Sequence, residues 1–211
     1  LSAERPEKLR IAIISPDFRF HSVSYFIQSL VEGYSSDKYE LFCYSDVRAP
    51  DAMTAHYKKV SSHWVETAGM PDEQLLGQIR DDKIDVLFDL VTYMAGSRLG
   101  VFAGRAARLQ VNYLGYPNTS GLKNMDYRIV DAWTDPVGDT EQWHTETLKR
   151  LDSGFLCYTP PAKAPPVSDL PAIKRADSAV CFGSFNNFQK VSAEVLKVWA
   201  KILLRVPDSR L

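Results

Sequence analysis

No stretch of this 211-residue chain approaches the ~20 consecutive apolar residues that a membrane-spanning helix needs. The opening residues, Leu1-Ser2-Ala3-Glu4-Arg5-Pro6-Glu7-Lys8, lack the apolar core of a secretory signal. They read as a polar linker (residues 1–8) arriving from an upstream region. Basic charge is not in excess: 25 Lys and Arg stand against 26 Asp and Glu, a formal net charge of −1. These residues are spread along the chain, which excludes the basic stripe of a nucleic-acid binder and argues against a membrane-surface protein. Cysteine is scarce. Cys43, Cys157 and Cys181 are odd in number, far apart and without a C-x-x-C pair. Buried free thiols in a reducing, cytoplasmic setting are therefore expected rather than a disulfide framework. The chain also has no G-x-G-x-x-G, no G-x-S-x-G and no Walker loop. His56, His63 and His144 show no ligand spacing with Cys or carboxylates, so neither a metal nor another cofactor is expected. Glu141, Glu146 and Asp131 fall in different segments, and nothing marks any two as a catalytic pair.

What is present is an alternation of strand-length apolar runs and helix-periodic stretches. Leu9 to Ile14 is a buried-strand run, followed by Tyr25, Phe26, Ile27, Leu30, Val31 and Tyr34 at helical spacing. Tyr39 to Tyr44 is a second strand, Asp51 to Lys59 a polar helix, and His63-Trp64-Val65 a short strand. Pro71-Asp72-Glu73 opens a helix with acidic residues in its first turn, as the helix dipole prefers. Strands at Ile84 to Leu90, Leu109 to Leu114 and Tyr127 to Val130 follow, with a helix near Arg98 to Ala107. This pattern predicts an α/β fold, a Rossmann-like, doubly wound, mostly parallel sheet over residues 9–157. Residues 158–177 carry Pro160, Pro161, Pro165, Pro166 and Pro171 and read as a stiff linker. The pattern then restarts over residues 178–211, with a strand at Ala179 to Phe185 and an amphipathic helix capped by Ser192. This reads as the first strand and helix of a second Rossmann-like lobe, cut short.

In open parallel sheets ligands bind in loops at the carboxyl ends of strands, and four such loops stand out. The first, Ser15 to Ser22, packs Asp17, Arg19 and His21 directly behind the first strand. His21 is either a proton-handling group at the cleft or a satisfied loop histidine. The second, Asp89 to Arg98, holds Tyr93 and Met94 and can offer backbone N–H groups to a sugar or phosphate, or serve as ordinary helix capping. The third, Gly115-Tyr116-Pro117-Asn118-Thr119-Ser120-Gly121 running on to Tyr127, is the most site-like on chemistry alone: a stiffened polar turn between two glycines. The fourth, Phe185-Asn186-Asn187-Phe188-Gln189-Lys190, puts Lys190 beside a helix N-terminus, a place for a diphosphate or simply a solvated lysine.

Taken together, these four loops resemble the catalytic region of the O-GlcNAc transferase and SPINDLY-like glycosyltransferases, over essentially the whole chain. In that family tetratricopeptide repeats precede two Rossmann-like halves. The resemblance implies an inverting transfer of a sugar, N-acetylglucosamine from UDP-GlcNAc, to Ser or Thr hydroxyls of a protein or peptide acceptor, without an obligatory metal. By the same resemblance His21 is the active-site histidine, Gly115 to Gly121 line the sugar pocket with Tyr93 and Met94 beside them, and Asn187 and Lys190 hold the donor diphosphate. Tyr93-Met94 stands where bacterial relatives often carry His-Thr, Thr92 replaces a glycine, and Ser22 replaces a proline. The alternatives are a related transferase using GDP-fucose or an Asn acceptor, and a non-catalytic peptide-binding or scaffold domain. On this reading most of the uridine pocket lies beyond Leu211, so the chain alone is expected to have little activity.

Overall fold

The computed structural model describes residues 7–161, 163–167 and 179–211. Residues 162 and 168–177 of the predicted linker, residue 178 of the predicted second lobe and the first six residues of the chain lie outside the described residues. The chain divides into two compact units, Leu1–Pro161 and Ala162–Leu211.

The first unit is built on a seven-stranded sheet. Its strands are β1 (Leu9–Ser15), β2 (Tyr39–Ser45), β3 (His63–Glu66), β4 (Val86–Asp89), β5 (Leu109–Asn112), β6 (Tyr127–Asp131) and β7 (Thr147–Leu151). They lie in the order β3-β2-β1-β4-β5-β6-β7, every neighbouring pair parallel. β1 is central, with Ile11 opposite Leu41 on one side and Val86 on the other. Burial on both faces explains why β1 and β2 are nearly continuous apolar runs. Alternate residues feed two separate cores. Ala12, Ile14, Phe42, Tyr44 and Leu87 point to one face, under α3 (Asp72–Asp81) and α4 (Leu99–Ala103). Ile13, Leu41 and Cys43 point to the other, under α1 (Ser24–Gly33) and α2 (Ala52–Val60).

Helix ends follow local chemistry. Asp51 closes a capping box on α2, accepting from the N–H groups of Met53 and Thr54 while Thr54 Oγ1 receives the Asp51 N–H. Buried Tyr57 then donates to the Ser24 carbonyl and ties α2 to α1. α4 is shorter than its apolar spacing predicts. It stops at Gly104, and Arg105 turns into the left-handed region (φ +56°). The Arg80 side chain donates to the carbonyls of both Gly104 and Arg105, so the helix ends with its last carbonyls satisfied.

Strand β7 was not expected from the sequence. Its Thr-Leu-Lys-Arg-Leu pattern buries only Leu148, because it is the edge strand beside β6. In the second unit, the predicted strand at Ala179 to Phe185 is reduced to a single bridge between Cys181 and Arg210, flanked by backbone bonds from Phe182 to Arg210 and from Arg210 to Val180. One short partner segment offers too few ladder positions for a strand. Helix α5 (Ala193–Arg205) is present, capped by the Ser192 hydroxyl 3.3 Å from the Val195 N–H.

All three cysteines are free. Only Cys43 meets the expectation of burial; Cys157 and Cys181 are exposed, each outside the packed strands. Burial pushes the Cys43 thiol up to about 12. Titration of the native chain with a thiol reagent at neutral pH should therefore modify Cys157 and Cys181 readily and Cys43 only on unfolding. Three equally fast thiols would contradict the packing described.

Candidate functional site

The chain leaves β1 toward β2 and leaves β4 toward β5, so the loops that follow these adjacent strands diverge at a topological switch point. The β1–α1 loop is pinned from beneath. Phe18 is fully buried against the rings of Tyr57 and Trp64, 5.5 and 5.4 Å away, and the Ser24 hydroxyl donates to the Asp17 and Arg19 carbonyls. These contacts hold His21 at the edge of the sheet, about one-third exposed. Its Nδ1 is occupied within the loop, 3.3 Å from the Val23 N–H and 3.3 Å from Asp17 Oδ2. Nε2 has no partner among the described residues and is the nitrogen left for a ligand.

The β4–α4 loop is organised by Asp89. This carboxylate is buried and accepts from the N–H groups of Val91 and Thr92 and from Asn112 Nδ2. Burial is the larger effect and raises its pKa against the pull of those bonds. They also hold Thr92 at φ +53°, unusual for a β-branched residue. The turn brings up Tyr93, whose hydroxyl donates to the Ser120 carbonyl and whose ring meets Tyr116 edge-on at 5.4 Å. Met94 follows, partly exposed. At the loop's far end Gly96 packs on the Pro16 ring, which joins this loop to the one carrying His21.

The Gly115–Gly121 loop rests directly on the main chain behind β4. A Cβ on Gly115 would lie 2.1 Å from the Leu90 carbonyl oxygen. Below the loop runs a buried polar network. Arg128 donates to the Asn112 side chain and, at 2.7 Å, to the Asn118 carbonyl. Glu146 accepts from Thr119 Oγ1 at 2.7 Å, from the Ser120 N–H at 2.6 Å and from the Ser120 hydroxyl. Burial pushes the Glu146 carboxyl up, but the bonds from Ser120 and Thr119 outweigh it, and its pKa falls below the ordinary value. Arg128 is lowered, chiefly by burial.

The sign of the Glu146 shift fixes a pH dependence. A carboxylate with a depressed folded pKa stabilises the fold above its unfolded value and loses that contribution as pH falls through the folded value. Glu146→Gln should cost about 1–3 kcal/mol near neutrality and flatten the acid limb of stability. Urea midpoints measured between about pH 7 and about pH 3 report both. A variant whose midpoints track the parent across that range would show that Glu146 makes no such contribution.

The structure thus brings together Tyr93, Tyr116 and the Ser120 carbonyl, and links them through Gly96 and Pro16 to the His21 loop. Thr119 is turned to Glu146, and Asn118 is fixed through its carbonyl to Arg128. Asn187 and Lys190 belong to the second unit. There the Asn187 side chain caps a single 3-10 turn, Phe188–Lys190, by accepting from the Gln189 N–H at 3.0 Å. Among the described residues the Lys190 ammonium has no partner, and no group of three or more His, Cys, Asp or Glu is placed to hold a metal. Asp89 opens the second candidate loop, but the sequence does not mark the supporting residues Asn112, Arg128 and Glu146 as parts of a site. Each is polar at a strand end or inside an apolar strand, and that was the available signal.

A doubly wound parallel sheet with a polar cleft at its switch point is the build of a ligand-binding α/β lobe. The model of glycosyl transferase family 41 matches residues 2–158, and the chain belongs to that family. Over 213 residues it is 44% identical to a probable UDP-N-acetylglucosamine–peptide N-acetylglucosaminyltransferase SPINDLY of Oryza sativa, covering 99% of this chain and 22% of the relative. The Arabidopsis thaliana protein of the same description is 44% identical over 212 residues, covering 99% of this chain and 23% of the relative. A solved lysine-to-methionine mutant of Thermobaculum terrenum O-GlcNAc transferase superposes with a TM-score of 0.86 at 36% identity, over 97% of this chain and 38% of that one. The chain spans between a fifth and a quarter of the length of the two SPINDLY relatives.

Proposed function

We propose that this chain carries the acceptor-side lobe of a glycosyltransferase that moves N-acetylglucosamine from UDP-GlcNAc to Ser or Thr hydroxyls of a protein or peptide, with inversion. The observation that carries the reading is the joining of three loops at one carboxyl edge: His21 with a free Nε2, Tyr93 bonded to Ser120, and the glycine-bounded loop behind them. The family match and the printed activities of the SPINDLY relatives supply the substrate class.

In this reading the acceptor oxygen attacks the anomeric carbon from the face opposite the departing UDP, the hydroxyl proton is released, and the sugar inverts. His21 Nε2 contacts the acceptor and sugar. Tyr93, Met94, Gly115, Tyr116, Pro117, Asn118 and Thr119 shape the sugar side. Asn187 and Lys190 meet the diphosphate, where a cation beside a helix N-terminus offsets the charge developing on the leaving group. Residues 9–157 form the acceptor lobe, 158–177 the linker and 178–211 the opening of the donor lobe. Tetratricopeptide repeats joined through residues 1–8, and a cytoplasmic setting, belong to the same proposal and are supported by the resemblance and by three unpaired thiols. No helix among the described residues is long and apolar enough to cross a membrane.

The test is product chemistry. The full-length gene product, given UDP-GlcNAc and a serine peptide, should form β-linked N-acetylglucosaminyl serine from the α-linked donor, read by NMR of the anomeric proton. Fucose transfer from GDP-fucose in its place, an asparagine-linked product, or no transfer would overturn this assignment.

A further inference from the structure

The loops that meet at the switch point also wall a cleft of about 750 Å³, whose charged residues have no role in the sugar-transfer reading. Its walls come from the loops after β1, β2, β3 and β4, and include Pro16, Arg19, Arg48, Gly69, Gly96 and Arg98. Its charges do not cancel. Asp46, the one acidic residue lining it, is bound on both oxygens by Arg98 and receives the Thr67 hydroxyl as well. Arg98 is spent in turn on Asp46, Asp72 and two carbonyls. Of the other two arginines, Arg19 makes one long contact to Asp17, at 3.4 Å, and Arg48 is exposed with no partner among the described residues.

One weakly paired and one unpartnered surface arginine alone would be a solvated rim. The backbone between them argues for more. Gly69 and Gly96 both adopt left-handed conformations, at φ +84° and +87°, and both line the cleft. Neither they nor Ala95 makes a hydrogen bond among the described residues. Main-chain donors released in left-handed turns and flanked by guanidinium groups form an anion-binding concavity. Position then narrows the ligand. Arg19 stands two residues before His21, the residue assigned to the acceptor, and Pro16 and Gly96, which join the His21 and Tyr93 loops, line the cleft, so an occupant here lies beside the proposed transfer site. With the donor diphosphate assigned to Lys190, the anion left to bind is carried by the acceptor.

We propose that this cleft binds a carboxylate side chain of the acceptor peptide, close in sequence to the modified hydroxyl, and so selects acidic acceptor segments. The assignment of the occupant to the acceptor rests on the proposed transferase function; binding of an acidic peptide does not. The test is calorimetric titration of the 211-residue chain with a glutamate-rich serine peptide and its glutamine counterpart. The glutamate peptide should bind about fivefold to tenfold more tightly, with the difference shrinking as salt rises. Arg48→Glu should abolish that preference, and Arg48→Lys should keep part of it. In the full-length gene product, Arg48→Glu should reduce transfer to the acidic peptide and leave transfer to the neutral peptide unchanged. Equal affinity for the two peptides, a preference that survives Arg48→Glu, or displacement of the bound peptide by UDP would each overturn the proposal. Because peptide binding is read without sugar transfer, failure of the transferase reading would show as lost catalysis with the peptide preference intact.

Discussion

Gly115→Ala should destabilise the chain by about 3 kcal/mol or more and displace the loop that meets Tyr93, the steepest loss expected for adding one methyl group. The added Cβ would stand 2.1 Å from the Leu90 oxygen, 2.6 Å from the Leu90 carbonyl carbon and 2.9 Å from the Val91 Cα. All three are main-chain atoms of the segment leaving β4, so no side-chain rotation relieves the clash. Either the 115–121 loop lifts, or the Leu90–Val91 segment shifts. The first breaks the Tyr93–Ser120 bond and the second disturbs Thr92, already held in a left-handed conformation by Asp89. Gly121→Ala is the control. Its φ is also positive, at +67°, yet the added Cβ would meet only the Tyr93 hydroxyl at 3.5 Å, so the cost should stay near the ~1 kcal/mol of left-handed strain. Chemical denaturation of the two variants side by side separates a backbone clash from mere loss of glycine freedom.

Arg98→Ala should cost about 3–5 kcal/mol, the range for leaving a buried charge without its partner. The side chain is 15% exposed, and each of its nitrogens is engaged. Nε and Nη2 grip Asp46 at 2.5 and 2.7 Å, Nη1 reaches Asp72 at 2.8 Å and the Met70 carbonyl at 2.7 Å, and Nη2 also reaches the Thr67 carbonyl at 3.0 Å. The pKa of Arg98 is raised, first by the bond to Asp46, and its charge is therefore fixed over the whole working pH range. This clamp joins the loops after β2, β3 and β4. Removing it leaves Asp46 buried with Thr67 as its remaining side-chain donor. Arg98→Lys keeps the charge but not the fork, and should recover less than half of the loss. Full recovery by lysine would mean that charge alone, not the bidentate geometry, holds these loops.

The frame of the first unit was legible because a parallel sheet covered on both faces writes itself as apolar runs. β1 and β2 have that character, and Asp51 and Pro71 mark helix starts with local chemistry that needs no tertiary knowledge. β7 was illegible for the converse reason: an edge strand that buries one leucine has little apolar signal. The end of α4 is not visible in its own residues because its cap comes from Arg80, on a different helix. In the first unit, the three candidate loops that the structure joins were legible as polar segments behind strands. The network beneath them was not. Asp89, Asn112, Arg128 and Glu146 meet only through strand order, and periodicity carries no information about which strand ends adjoin. Arg98 drew notice as part of a motif, yet its donors all turn inward, and only the geometry shows it to be a clamp.

The proposed roles of His21 at the acceptor and of Lys190 at the leaving diphosphate can each be read in one kinetic comparison. The full-length gene product and its His21→Ala and Lys190→Ala variants would be compared for transfer from UDP-GlcNAc to a serine peptide, with folding checked by circular dichroism. The expected result is folded variants with kcat/KM lower by about 10²–10⁴ for His21→Ala and about 10²–10³ for Lys190→Ala. Folded variants that both transfer sugar at the parent rate would contradict both roles.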